Sequence, residues 1–230
     1  MTTLAIDIGG SSIKVLALDD QGVPVTETLS QPTPVPAAPE AVFTLIHDMA
    51  DTRPPHRRVS VGFPGVVKNG VAHNAPNLGD ELWRGVRLAE LLTELLQRPV
   101  RAVNDADLQG LGVVRGKGVE LVVTLGTGMG AALFTDGVLV PNLELGHHPL
   151  RDGLTYEDLV RDSELKRIGP VEWTARVLDA IEQIEPIFNY DTLHLGGGNV
   201  RHLQAELPEN TRVFSLAEAL RGALKLWDGA

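Results

Sequence analysis

Apolar residues fall along this chain in short β-type runs that stop at glycines, interleaved with a few stretches of helical period. Thr3 to Ile8 is the first β-rich run and ends in Gly9-Gly10-Ser11-Ser12; Ile13 to Leu18 follows, alternating Val15 and Ala17 against Lys14 and Leu16. After Asp19-Asp20-Gln21-Gly22 the pattern predicts a third strand, Val23 to Leu29. Three hairpin-linked strands are not how a Rossmann unit begins, because that unit needs a helix after its first glycine turn. Gln31 to Pro39 holds four prolines and reads as a stiff surface loop. Glu40 to Ala50 predicts a helix, Arg58 to Phe63 a strand, and Val66 to His73 a hairpin about Asn69-Gly70. Leu88, Leu91, Leu92, Leu95 and Leu96 form one apolar stripe, which predicts a helix from Val86 to Gln97. Val100 to Val103 reads as a short strand running into a helix that Asn104 or Asp105 can cap and that continues to Val114.

The opening pattern then recurs. Glu120 to Leu125 is a strand, Gly126-Thr127-Gly128-Met129-Gly130 a turn, Ala131 to Thr135 a returning strand, and Asp136-Gly137 the next hairpin turn. Thr155 with Asp158 predicts a capped helix from Tyr156, and Pro170 suits the first position of a helix to Phe188. Thr192 to Leu195 reads as a buried strand stopping at Gly196-Gly197-Gly198-Asn199; Ser215 with Glu218 is a capping box that starts a last helix to Trp227. Trp83 and Trp173 read as packing residues.

Composition narrows the function. The 230 residues carry a net charge of −10, and no basic stripe appears that would neutralise phosphates, so nucleic acid is not an expected partner. No cysteine is present, which excludes disulfides, thiol nucleophiles, iron–sulfur clusters and thiolate zinc sites together. No apolar run approaches the ~18–20 residues that span a bilayer. With strand character already present at Leu4, neither a signal peptide nor a DNA-binding arm is expected ahead of it. The expectation is a cytoplasmic protein that acts on a small molecule.

Three glycine turns each close a strand, at 9–12, 126–130 and 196–199. Glycine lets backbone approach a ligand and lets successive N–H groups converge on an anion, which points to a nucleotide or polyphosphate cradle. None opens a helix as Gly-x-Gly-x-x-Gly, and no Gly-Lys-Ser/Thr occurs. Asp7, beside the first turn, suits either a turn cap or a partner for Mg²⁺, directly or through water. Lys14 reads first as a strand lysine with its ammonium in water and second as a phosphate contact. Asp105 balances two readings: a helix N-cap, or a base aimed by a strand end to accept a hydroxyl proton in phosphoryl transfer. Asp107 suits a first-turn partner of the helix dipole. In Asn142 to His148, adjacent histidines point apart in a strand, so one metal shared by His147 and His148 is not expected; Glu144 and His147 suit hydrogen bonds to hydroxyls.

These residues resemble ROK-family sugar kinases. Asp7 to Lys14, Val61 to Val67, Asn104 to Asp107, Leu125 to Gly130, Glu144 to His147 and Gly196 to Asn199 occur in that family's order, and Gly137 to Glu144 is most like the polyphosphate glucokinase branch. The resemblance implies an α/β protein of two actin-like, hexokinase-type (ribonuclease H-like) domains with a sugar in the inter-domain cleft, usually as a homodimer. The domains would be 1–103, joined by the C-terminal helix 215–228, and 104–214. By position, Asp105 would be the catalytic base, with Asn104, Gly65, Glu144 and His147 around the sugar. Asp7, Gly9, Gly10, Ser11, Ser12 and Lys14 would form the first phosphate motif, with Mg²⁺ at Asp7. Gly126, Thr127, Gly128 and Gly130 would form the second, and Gly197, Gly198 and Asn199 would border the adenosine. The donor would be ATP or polyphosphate.

Two departures bear on sugar identity. The family's Cys-rich zinc motif is absent, so no zinc is expected, and Glu157 is the candidate for the sugar-contacting Glu that follows that motif. His148-Pro149 also stands where the polyphosphate branch commonly reads Leu-Glu. The rival expectations are a sugar-responsive transcription regulator, which would need a DNA-binding domain before Leu4, and a catalytically weak sugar- or nucleotide-binding protein of ROK type. For polyphosphate the candidate basic track is Arg115, Lys117, Arg151, Arg161, Lys166 and Arg167.

Overall fold

The computed structural model describes residues 2–228; Met1, Gly229 and Ala230 lie outside the described residues. The chain divides into two compact units, one running to Gly112 and resuming at Ala219, the other Val113–Glu218.

The first unit contains β1 (Thr3–Ile8), β2 (Ser12–Leu18), β3 (Leu29–Pro32), α1 (Pro39–Asp51), β4 (Arg58–Phe63), β5 (Val67–Lys68), β6 (Val71–Ala72), α2 (Asp80–Trp83), α3 (Leu88–Leu96), β7 (Val100–Asn104) and α4 (Asp105–Val113). Its main sheet runs β3-β2-β1-β4-β7, antiparallel through the hairpins and parallel for β1, β4 and β7. Leu4, Ile6 and Ile8 alternate into a core shared with Val42 and Ile46 of α1 and with Trp83, whose indole N–H donates to Ala37 O at 2.9 Å. The β5–β6 hairpin turns at Asn69 (φ 52°) and Gly70 (φ 75°), the doubly positive geometry that Asn-Gly favours.

The third strand differs from the expectation. Val23 and Val25 are exposed, only Pro24 bridges to Leu18, and the strand that pairs with β2 is Leu29–Pro32, with Ser30 opposite Lys14. Asp19 explains the shift: its carboxylate accepts the N–H groups of Gln21 and Val23, widening the turn, and Pro24 has no N–H for a ladder.

The second unit contains β8 (Val119–Leu125), β9 (Met129–Thr135), β10 (Val138–Val140), β11 (Pro149–Arg151), β12 (Leu154–Thr155), α5 (Tyr156–Val160), α6 (Asp162–Ile168), α7 (Pro170–Phe188), β13 (Thr192–Gly196) and β14 (Thr211–Val213). Its sheet, β10-β9-β8-β13-β14, repeats the order and directions of the first. The recurrence of strand, glycine turn and strand in the sequence is thus a repeat of topology. Trp173, Val177, Ile181 and Ile184 of α7 bury against Leu121, Val123, Leu193 and Leu195 of the sheet. Both tryptophans read as packing residues are fully buried.

On neighbouring strands of this sheet, a buried carboxylate and a buried imidazole meet across 74 residues of sequence. Glu120, 1% exposed, receives backbone N–H groups from Arg115, Gly116 and Lys117 at 2.7–3.2 Å, and His194 Nε2 lies 2.7 Å from its Oε2. The pair anchors the turn where the chain enters the second unit.

The expected single helix over 215–228 is two short ones, α8 (Leu216–Leu220) and α9 (Gly222–Lys225). The Ser215–Glu218 box is present, with Glu218 also paired to Arg212; these bonds hold its carboxyl down at about 2. The break falls where Gly222 meets the backbone of Leu108, an approach that any Cβ would block. Trp227 then lies under the guanidinium of Arg101, 4.4 Å from Cζ to the ring centroid, and donates to Ser60 Oγ at 2.8 Å. This packing returns the chain's end to the first sheet.

Candidate active site

In the first unit, the parallel strands β1, β4 and β7 end side by side, and ligands of open α/β sheets bind outside such carboxyl ends. At the end of β7, Asn104 is buried. Its Oδ1 accepts the N–H groups of Ala106 (2.8 Å) and Asp107 (3.2 Å), and its Nδ2 donates to Gly65 O at 3.2 Å. Asn104 is therefore the N-cap of α4. That role is closed to Asp105, which stands as the first residue of the helix, half-buried, with Oδ1 accepting from Ala106 N–H at 2.8 Å. A helix N-terminus favours negative charge at this position. Asp107 is buried two residues further on, within the same first turn. Gly65 abuts Asn74, whose side-chain oxygen accepts from Val66 N–H at 2.6 Å.

The first glycine turn joins β1 to β2, with Gly9 N–H bonded to Ser12 O at 3.0 Å and Thr33 donating its hydroxyl to Gly9 O at 2.6 Å. Asn77 packs against Gly10 so closely that a Cβ there would sit 3.0 Å from it. Asp7 and Lys14 face each other across the two strands and form an ion pair at 3.2 Å, both about half exposed. Such a pair is worth ~0–1 kcal/mol. The sequence gives no signal for Asn74 and Asn77 beyond their place in a turn-rich segment, yet they shape both of these turns.

In the second unit, β8 and β13 are parallel neighbours, so the turns that follow them meet. Asn199 donates its side-chain N–H to Gly126 O at 3.0 Å and its backbone N–H to Leu125 O at 3.0 Å, while Gly197 (φ 89°) lies against Leu125. A Cβ at Gly126 or Gly198 would meet nothing within 4 Å. The fold's own packing does not require glycine there, which leaves room for a ligand to approach the backbone. Thr127 is exposed at the tip.

Glu144 precedes and His147 ends a single 3-10 turn, Leu145–His147, where the sequence suggested extended chain. His147 Nδ1 lies 3.1 Å from Glu144 Oε2, and its Nε2 lies 4.0 Å from Glu157 Oε1. Glu157 Oε2 accepts Met129 N–H at 2.9 Å. The capping box of Thr155 and Asp158 fixes the start of α5, and its bonds hold the Asp158 carboxyl below the usual range. His148 points elsewhere, its ring 6.3 Å from that of Tyr156.

Of the six basic residues suggested for a polyanion track, Arg151, Arg161 and Arg167 line one cavity of about 410 Å³ together with Arg176. Each carries a carboxylate: Asp179 on Arg151, Asp158 on Arg161 at 3.5 Å, and Glu164 on both Arg167 (2.6 Å) and Arg176 (2.9 Å). Lys166 pairs with Asp162, and Arg115 and Lys117 lie on the turn held by Glu120. Among the described residues no three acidic or histidine side chains are grouped to hold a metal ion, and no helix is long and apolar enough to cross a membrane.

Two sheets of identical topology with glycine turns at their strand ends define a hexokinase-type α/β protein. The model of the ROK family matches residues 3–155, and the chain belongs to that family. It is 34% identical over 213 residues to a polyphosphate glucokinase of Mycobacterium leprae, covering 88% of this chain and 65% of that protein. The polyphosphate glucokinase of Mycobacterium tuberculosis strain H37Rv is 32% identical over 213 residues, and this chain covers 80% of it. The chain thus spans just under two thirds of the first relative and four fifths of the second. Among solved structures, the inorganic polyphosphate/ATP-glucomannokinase of Arthrobacter sp. strain KM matches with a TM-score of 0.86 at 33% identity over 98% of both chains.

Proposed function

We propose that the protein is a hexose kinase that transfers the terminal phosphoryl group of ATP, and secondarily of inorganic polyphosphate, to the 6-hydroxyl of glucose. The observation that carries this reading is the division of labour at the start of α4. Asn104 caps the helix, and Asp105 stands at its first position. Phosphoryl transfer to an alcohol needs little covalent help; positioning, charge stabilisation and one proton acceptor suffice. In this reading the Asp105 carboxylate takes the hydroxyl proton as the sugar oxygen attacks in line, and the donor's bridging oxygen leaves with its electron pair.

Glu144 and His147, with Asn104 and Gly65, would hold the sugar hydroxyls. The first glycine turn, Gly9 to Ser12, together with Lys14, and the second, Gly126 to Gly130, would border the donor phosphates. Gly197, Gly198 and Asn199 would border the adenosine. Asp7 supplies one carboxylate, which fits Mg²⁺ carried by the donor, since that ion keeps several waters and needs only one or two protein carboxylates; Lys14, now paired with Asp7, would turn to the phosphates. Bound there, Mg²⁺ would neutralise charge on the donor phosphates.

Glu144→Gln is expected to weaken glucose binding about tenfold, because an amide cannot replace a carboxylate that accepts from hydroxyls. Calorimetry reads this directly, and unchanged affinity would remove Glu144 from the sugar site. The donor order follows from charge. The clustered arginines are matched by carboxylates, so they offer a long polyanion little net attraction on a chain of net charge −10. Raising salt from ~0.05 to ~0.3 M should therefore not depress polyphosphate-driven turnover more than ATP-driven turnover, and a steeper fall with polyphosphate would show a net attractive track. Turnover with polyphosphate and none with ATP would reverse this order.

A further inference from the structure

We propose that the ion pair between Arg151 and Asp179 is a clasp for the sugar pocket: it holds the β11–β12 hairpin to α7 and thereby sets the spacing of His147 and Glu157, which stand at the hairpin's two ends. The proposal rests on the hexose-kinase reading for its ligand, with Glu157 as a sugar contact; the clasp itself is read from geometry. Arg151 and Asp179 act here as positioning residues, and neither is given a contact with the sugar.

The hairpin has little else to fix its tip. β11 and β12 form a two-stranded sheet of their own, pairing Pro149 with Thr155 and Arg151 with Leu154 across an irregularity. Isolated two-stranded hairpins are marginal in water. Leu150 packs on the core, but Asp152 (φ 51°) and Gly153 (φ 78°) make a tight turn exposed to solvent. The cavity of about 410 Å³ lies against this tip and is walled on its other sides by α5, α6 and α7, so packing does not set the distance there. Of the ion pairs that line it among the described residues, Arg151–Asp179 joins the hairpin to a helix; Arg161–Asp158 and the pairs of Glu164 stay among the helices. Asp179 is a firm anchor, because Val177, Ala180 and Ile181 beside it on α7 are buried. Its charge also reaches the neighbour of Glu157: burial first, and Asp179 second, hold the Tyr156 phenol above its usual range.

At the base of the hairpin, His148 O accepts the Tyr156 N–H at 3.2 Å. His147 precedes that acceptor and Glu157 follows that donor, so the two side chains leave neighbouring points of one base. His147 Nε2 lies 4.0 Å from Glu157 Oε1, too long for a hydrogen bond between them, and both can turn to hydroxyls of one ligand. A hairpin released at its tip pivots about the base bond, and the spacing of His147 and Glu157 changes with it.

An exposed ion pair adds little to global stability, so the effect belongs in the pocket and not in the thermal midpoint. In the full chain, with ATP as donor, Arg151→Ala and Asp179→Asn should each raise the glucose KM about fivefold, with kcat and the thermal midpoint near wild type. Calorimetric titration with glucose should show the same loss. The double variant should lose no more than either single one, because the two residues act through one bond. Hydrogen exchange of the Tyr156 amide should be faster in each variant. Unchanged glucose affinity in the single variants overturns the proposal, as do multiplied losses in the double variant or unchanged exchange at Tyr156. If the wild type binds no hexose, the hexose-kinase reading fails and the clasp loses its ligand; the exchange measurement, which needs no sugar, tells that result apart from a clasp that does not hold.

Discussion

Asp105→Asn is expected to lower turnover about 10²–10⁴-fold, equivalent to ~3–5 kcal/mol of barrier, while fold and glucose affinity stay near wild type. The substitution is nearly isosteric and keeps an oxygen to accept the Ala106 N–H now bonded to Asp105 Oδ1 at 2.8 Å. It leaves the cap of α4 intact, because that cap is Asn104, and so does not unravel the helix that aims the side chain. Loss of proton acceptance is the main change. The measurement is kcat alongside the thermal midpoint. A fall in kcat with an unchanged midpoint supports the proton-acceptor role; wild-type kcat would return Asp105 to a structural one. The reverse experiment, Asn104→Ala, should destabilise the protein by ~1 kcal/mol as a lost cap does.

Glu120→Ala is expected to be the most damaging substitution for stability, about 3–5 kcal/mol. It strands the N–H groups of Arg115, Gly116 and Lys117 and the buried His194 in one step. A lower urea midpoint with an unchanged slope would report this, and a loss under ~1 kcal/mol would contradict it. Glu120→Gln keeps the volume and one oxygen and should cost less.

The same pair sets a pH dependence. Burial alone would raise the Glu120 carboxyl, but the three backbone N–H bonds and His194 overcome it, so its pKa lies below 4.5. Burial pushes the His194 imidazole below 6.5, against the pull of Glu120. Both shifts are depressions, so both contributions are complete above the unfolded-state values. The His194 contribution falls away as pH drops below about 6.5, because the unfolded chain then takes up a proton that the folded one refuses; that of Glu120 follows below about 4.5. The urea midpoint should therefore fall between pH 7 and pH 5. In His194→Gln, which keeps a donor for Glu120, it should fall less.

Where local chemistry decides the structure, the sequence is a good guide. Pro170 opens the helix that ends at Phe188, Thr155 and Asp158 form the reciprocal cap, and Asn69-Gly70 and Asp136-Gly137 adopt the doubly positive φ those dipeptides favour. The fold class and the family follow from such signals in order. Long-range partners decide what was not legible. The third strand moved to Leu29–Pro32 because the Asp19 side chain reshaped the preceding turn. The last helix broke at Arg221 because Gly222 meets Leu108, distant in sequence. Asn104 and Asp105 were equivalent as caps on sequence alone; the Ala106 and Asp107 N–H bonds to Asn104 Oδ1 separate them, and the bond from Asn104 to Gly65, 39 residues away, holds that side chain in place. The links among Glu144, His147 and Glu157 likewise depend on a 3-10 turn that a strand reading of Asn142 to His148 hides.

The central claim is phosphoryl transfer to a hexose, and the direct measurement is sugar phosphate formation across a panel of hexoses with ATP and with polyphosphate as donors, in Mg²⁺. The account predicts sugar 6-phosphate from glucose with ATP, slower product with polyphosphate, and loss of both in Asp105→Asn. Tight sugar binding without product from either donor would contradict it and make the protein a binder of sugars.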